Sequence, residues 1–542
     1  MKKVWNKLYI TALLLIIILA GCSTESGKGT PYGGKNVEVS DRSTTNQVVA
    51  AVSSEPDEGF DPTAGWGHGT TPLIQSTLVR YNQDRSLEND LAEYYRVSDD
   101  GLLWEFRLRT DAFFTDGTQV KASDVAFTFM TAKESASALD LAFLEECRET
   151  GENTVGFFLS TPMSTFINTI ASVGIVPQHL YDGNYGNEPI GSGPWKFVQW
   201  NKGEQVILEA NKEYYGTVPE IDKAVIVFMD TDAAYAAAQA GKVDVALTAA
   251  NYGSNEVDGM HLEAVSTTDN LGFTMPMYPD TGEVSEDGYK IGNNVTSNIE
   301  IRKALAYGLD RQRLADDAVD GFAAPAYSEN DGMPWNNPET AIETDAEKAK
   351  EILKQGGWHD SDSDGILDKE GVKAEFICIY PSGDSVRQST AMAAAQQAAE
   401  LGINITVEGT SWDDISKRMF SDAVVMGWGS ENPYTSYMLF HSSNGLKSDY
   451  YNPEGYSSET ADRYLESALH ALTPEDAFQY WKLAQWDGST GTSMKGDCPW
   501  VWLVNIQHLY FVRDGLNIGD QQLHAHGESW TLLQNLQDWK WE

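Results

Sequence analysis

Short apolar runs separated by polar turns fill the chain from about residue 45 onward. Residues 47–52 read as a strand leading into Gly59-Phe60-Asp61-Pro62, after which residues 71–81 carry a pattern compatible with a helix. Trp104, Phe106 and Leu108 alternate with Glu105, Arg107 and Arg109, the period of a half-buried strand. A turn at Thr115-Asp116-Gly117-Thr118 follows, and Ser123 stands as the cap of a helix running to about Lys133.

The later half repeats this alternation with clearer punctuation. Ser297 and Glu300 have the spacing of a capping box before a helix that puts Ile301, Leu305 and Leu309 on one face. Thr344 and Glu347 repeat the signal, and Gly356-Gly357 closes that helix. Then come a strand over 374–380, an alanine-rich helix over 389–401, a strand with alternating Ile403, Ile405 and Val407, a helix capped by Ser411, and an apolar strand over 423–426. Strand and helix in turn argue for an α/β fold with a parallel sheet and helices on its faces. Ligands of such sheets bind beyond the carboxyl ends of the strands. Trp428 sits at such an end, which makes the loop from Gly427 to Tyr434 the first candidate for a ligand-facing segment.

The first residues do not belong to that pattern. Lys2, Lys3 and Lys7 precede an apolar run from Leu8 to Ala20, shorter than the roughly 20 residues a spanning helix needs, and Gly21-Cys22 follows. This reads as a signal peptide over 1–21 ending in a lipobox, with Cys22 as the lipidated N-terminus of the mature chain. Residues 22–43 are polar and glycine-rich, the composition of a flexible tether. The remaining 500 or so residues suffice for two or more lobes, each with its own core.

The formal charge is −42, and the leader contains three lysines and no acid, so the mature chain is more acidic still. Nucleic acid is therefore excluded as a partner, and membrane association is expected through acyl chains, since an acidic surface repels anionic lipid. With Cys22 lipidated, Cys147, Cys378 and Cys498 remain, an odd number that allows at most one disulfide. Nine histidines are scattered, and only His524 and His526 lie close together, a spacing read as structural.

The run from Asp99 to Arg109 closely resembles the family 5 extracellular solute-binding proteins of ABC importers, which include oligopeptide-, dipeptide- and nickel-binding proteins. The resemblance continues through Gly191-Ser192-Gly193-Pro194-Trp195, Asn211-Lys212-Glu213-Tyr214-Tyr215, Ala240-Gly241-Lys242-Val243-Asp244, Ile301-Arg302-Lys303-Ala304-Leu305 with Leu309-Asp310-Arg311, and Gly427-Trp428. Each fragment is weak alone; their order and spacing over residues 45–510 are specific.

The resemblance implies a two-lobe clamp of the type II, cluster C-like kind with an extra inserted domain. The first lobe is expected over 44–80, 187–285 and 500–542, the inserted domain over 81–186 and the second lobe over 286–499. It also implies a monomer at the extracellular face of the membrane that captures a short peptide by hinge closure and hands it to the transmembrane subunits of an ABC permease, with no cofactor. In the family's peptide binders an aspartate three positions after the tryptophan of the Gly-Trp loop holds the peptide ammonium. That position here is Glu431, longer by one methylene. Trp428, Gly429 and Glu431 are thus expected on one cleft wall, and Trp66, Gly67 and His68 of the glycine-rich loop over 63–69 on the other. Sixteen tryptophans would equally suit an oligosaccharide, and some family members take nickel-chelator complexes.

No phosphate-binding G-x-x-x-x-G-K-[ST] loop, H-E-x-x-H helix or G-x-S-x-G elbow occurs, so a secreted glycosidase or peptidase is only a remote alternative. Asp360, Asp362 and Asp364, followed by Gly365 and Asp368, resemble the start of a calcium loop, but the position that should supply a bidentate glutamate is Gly371, with Glu370 one residue early. An acidic turn is the preferred reading, and no metal site is expected.

Overall fold

Two mixed sheets and a smaller antiparallel one organise the chain. The computed structural model describes residues 42–57, 59–67, 71–135, 139–429, 431–447, 449–526 and 530–542. Cys22 and His68 lie outside the described residues.

The first lobe is built around Gln47–Val52, which pairs parallel to Lys223–Phe228 with Val48 opposite Ala224, and parallel to Val245–Thr248 on its other side. The full order is 260–265, 508–513, 245–248, 47–52, 223–228, 205–210, 195–201. Val48, Leu208, Ile226 and Val512 share one apolar layer, and Ala51, Ala246 and Phe511 face the opposite one. Gln47–Val52 is covered on both faces, which is why its sequence is nearly all apolar.

The second sheet has the order 323–325, 500–506, 270–274, 423–428, 375–381, 404–410. Glu375–Pro381 runs parallel to Asn404–Thr410 and to Ala423–Trp428, as the strand-helix-strand reading expects. Asn270–Thr274 and Trp500–Ile506 join antiparallel, so the sheet is mixed, not parallel throughout. These two strands also move the lobe boundaries. The chain crosses between lobes at residues 266–269 and returns at Gln507, so 270–285 and 500–506 belong to the second lobe, not the first.

The inserted domain is a four-stranded antiparallel sheet of Ala92–Val97, Leu103–Leu108, Thr154–Leu159 and Leu144–Gly151. Trp104, Phe106 and Leu108 point inward as their alternation requires, against Val125 and Phe129 of the helix Ala122–Glu134.

Several local expectations shift. Residues 71–81 form no helix: Ile74 O accepts from Gly193 N (2.8 Å) and Ser76 O from Ile175 N (2.9 Å), and only Val79–Tyr81 is regular, as a strand. A Cβ on Gly191 would stand 2.0 Å from Ile74 O, so the Gly-Ser-Gly motif exists to let this extended segment pass. The cap at Ser123 is instead at Lys121, whose N–H donates to the Asp124 carboxylate (2.9 Å). Asn298, not Ser297, precedes Ile299–Gly308, and Asp345, not Thr344, caps Ala346–Gln355. Ser411 caps Trp412–Arg418 as expected, accepting from Asp414 N.

Candidate functional site

The strand Ala423–Trp428 ends where the two lobes and the inserted domain meet. Trp428 N donates to Asn270 Oδ1 (3.1 Å), tying the strand end to its neighbour, and the indole stacks on Tyr451 with centroids 4.8 Å apart. The indole Nε1 is buried and has no partner among the described residues. Gly429 lies so close to the first crossing segment that a Cβ would fall 1.9 Å from Thr268 O. The position therefore demands glycine for steric reasons.

Beside Trp428 is a cavity of about 430 Å³. One wall comes from the inserted domain, with Leu139, Phe143 and Met163; the other comes from the second lobe, with Trp428, Tyr434 and Met438. Asp140, Asn168, Thr169, Glu431 and His526 add polar groups. Apolar walls with a few fixed polar groups are what a small-molecule site requires.

Glu431 does reach this cavity, but its charge is already met. Its Oε1 lies 2.7 Å from Arg85 Nη1, and both side chains are buried. Arg85 Nη1 also donates to Gln522 Oε1 (3.1 Å), whereas its Nε and Nη2 have no partner among the described residues. Burial pushes the Glu431 carboxyl up, and the Arg85 guanidinium pulls against that shift. The backbone of the same residue is held too: Tyr81 Oη donates to Glu431 O (2.9 Å), and Asn168 Nδ2 donates to Tyr81 Oη (3.0 Å). The expectation that Glu431 waits for a ligand ammonium is corrected to this extent: Arg85 stands in that place.

The crossing segments carry a second charged group. Asp269, buried, lies 2.6 Å from His526 Nδ1 and 3.5 Å from His508 Nε2. Burial alone would raise its pKa, but the charges and hydrogen bonds of His526 and His508 prevail and hold it well below the usual range. His508 Nδ1 also meets His524 Nδ1 (3.2 Å), and burial, then His508 and Arg85, push His524 well below an ordinary imidazole.

Trp66 is not on the facing wall. Its ring packs edge-on against Phe60 (4.9 Å) and Trp530 (5.1 Å) in the first-lobe core, because the 3-10 turn Pro62–Ala64, capped by Asp61, directs the chain inward there. Gly67 has a left-handed φ of +83° and abuts Ser172 O, one layer behind the cavity. Asp360, Asp362 and Asp364 do bring carboxylate oxygens within 4.8 Å of one another, but Lys373 Nζ pairs with both Asp362 and Asp364, and none of them lines the cavity. Asp368 accepts from Ser361 N (3.1 Å).

Arg85, Tyr81, Asn168 and Asp140 did not stand out in the sequence. They belong to the end of a short strand, to irregular loops and to a short helix of the inserted domain, whose approach to the second lobe no local pattern encodes. The pair His524 and His526 was visible, but not its tie to Asp269, 257 residues from His526.

A two-lobe α/β clamp with a cavity beside the crossings is the architecture of a type II periplasmic binding protein. The family description "Bacterial extracellular solute-binding proteins, family 5 Middle" matches residues 86–449. Protein XP55 of Streptomyces lividans is 30% identical over 514 residues, covering 91% of this chain and 88% of that protein. The oligopeptide-binding protein AppA of Bacillus subtilis (strain 168) is 28% identical over 423 residues, covering 73% and 75%. In structure, NikZ from Campylobacter jejuni in complex with Ni(L-His) superposes with a TM-score of 0.72 at 23% identity, covering 91% and 99%. The chain belongs to the family 5 extracellular solute-binding proteins, the binding components of ABC importers.

Proposed function

We propose that the protein, anchored through a lipid on Cys22, captures a short peptide outside the cell and delivers it to an ABC permease without altering it. The cavity beside Trp428 carries this reading, because its walls come from separate bodies of the chain and can part to admit a solute. The similarity to an oligopeptide-binding protein supports peptide as the solute class. Trp428 Nε1, a buried donor without a partner among the described residues, suits a peptide carbonyl.

A thermal-shift screen of the purified mature protein against di- to pentapeptides tests the reading. A ligand at one hundred times its Kd stabilises the native state by about 2.7 kcal/mol, a shift of a few degrees for a chain of this size. Peptide recovered after long incubation should be intact by mass spectrometry; excess cleaved product would count against a pure binder. Cys22→Ala should release the mature domain from membranes.

A nickel-chelator complex is the second reading, favoured by His526 in the cavity wall and by the likeness to NikZ. Shifts with nickel-histidine and none with peptides would select it.

A further inference from the structure

We infer that Arg85 relieves the solute of any need for a charged amino group. By answering Glu431 from inside the protein, it leaves the cavity beside Trp428 suited to a solute end without positive charge, such as an acylated amine. This rests on the cavity being the solute site and goes further by naming the residue that sets the charge accepted there.

Arg85 reaches Glu431 from a short hairpin loop. Val79–Tyr81 and Leu87–Asn89 pair antiparallel, and between them Asn82 N donates to Ser86 O (2.8 Å) and Arg85 N to Asn82 O (3.0 Å). Arg85 takes a φ of +65° there, a conformation that costs a residue with a side chain free energy unless its surroundings hold it. The far end of the side chain is what holds it. It is 2% exposed, and Nη1 lies 2.7 Å from Glu431 Oε1 and donates to Gln522 Oε1 (3.1 Å).

This pairing changes the charge that the cavity can offer. Among the described residues that line it, the acids are Asp140 and Glu431. Glu431 is engaged by Arg85, whose Nε and Nη2 have no partner among the described residues, so the pair has donors to spare and no uncommitted negative charge. Asp140 is exposed, where water screens it. Asp269, in the crossing segment, is met by His526 and His508.

An ammonium drawn inside would lose its water, approach the Arg85 guanidinium and gain no free countercharge in return. An amide carbonyl loses far less on entry, and the buried Trp428 Nε1 is a donor that can meet it. Leu139, Phe143 and Met163 give the acyl carbons an apolar wall.

The test is calorimetric titration near neutral pH with alanine tri- to pentapeptides whose amino terminus is free or acetylated. The proteins compared are the mature wild type, Arg85→Met and the double variant Arg85→Met with Glu431→Gln, each checked for folding by thermal unfolding. The wild type should bind acetylated peptides as tightly as free ones or more tightly. Arg85→Met leaves Glu431 without its partner and should prefer the free amino terminus by at least about tenfold; the double variant should lose that preference. A wild type that prefers the free amino terminus by more than about threefold overturns the inference while leaving peptide binding intact, whether or not the variants fold. A folded Arg85→Met protein without the preference overturns it as well. If no peptide binds the wild type, the peptide reading fails, and melting curves in ethylammonium chloride against equal sodium chloride decide the role of Arg85. Ethylammonium should raise the melting temperature of Arg85→Ala and leave the wild type unchanged; a rise in the wild type, or none in Arg85→Ala, defeats the inference.

Discussion

Glu454 is the most isolated carboxyl in the second lobe: fully buried, with Oε1 accepting from Trp500 Nε1 (2.9 Å) and Oε2 without a partner among the described residues. Burial pushes it up to about 8, well above an unfolded glutamate. The folded state therefore keeps a proton that the unfolded state releases, so stability falls as pH rises from about 4.5 to about 8. The full effect is on the order of 5 kcal/mol at 1.36 kcal/mol per pH unit. Glu454→Gln should raise the melting temperature at pH 8.5 and change it little at pH 5, and a difference independent of pH would contradict this origin. Arg85 and Glu431 make the opposite case, a buried pair in which each charge needs the other. Glu431→Gln alone should cost about 3–5 kcal/mol by stranding Arg85, and adding Arg85→Met should recover most of that. Denaturant unfolding of the two single variants and the double variant measures the coupling.

Among the elements, those whose signal is local were legible in advance. Gln47–Val52, Leu103–Leu108 and the series from Glu375 to Trp428 carry their own periodicity, because burial of one or both faces fixes which residues are apolar. The caps moved by one or two residues, since neighbouring serines, threonines, asparagines and aspartates compete for the same N–H groups. Residues 71–81 misled because tertiary hydrogen bonds to Gly193 and Ile175 replace helical ones. Of the candidate site, the Trp428 loop was readable from its place at a strand end. Its partners Arg85, Asn168 and Asn270 come from distant parts of the chain and were not. That loop is also the most sensitive to small change. Gly429→Ala would drive a methyl into Thr268 O, so the loop must move, and ligand affinity should fall by more than tenfold while circular dichroism stays native.

For the molecule as a whole, the contacts of Tyr81 and Asn168 with Glu431 O hold the second lobe against the first part of the chain. If solute enters by opening of the lobes, weakening this contact should populate the open form. Tyr81→Phe removes the hydroxyl, so the ligand-free protein should show a larger radius of gyration by small-angle X-ray scattering. Apparent affinity should drop in proportion to the lost closed fraction. An unchanged radius with weakened binding would mean that Tyr81 acts on the ligand directly.

The strand order of the first sheet has a consequence for how the protein is made. His508–Arg513 lies between Val245–Thr248 and Met260–Val265, so the sheet has a missing member until nearly the last residues leave the ribosome. The second sheet, by contrast, is complete at Ile506. The lobe that begins the chain is thus the last that can close, and a nascent chain halted before residue 508 carries one finished lobe and one with two unpaired strand edges. Such edges invite pairing with other chains. If the chain is exported as proposed above, a first lobe that cannot finish early leaves the front of the chain unfolded for passage across the membrane.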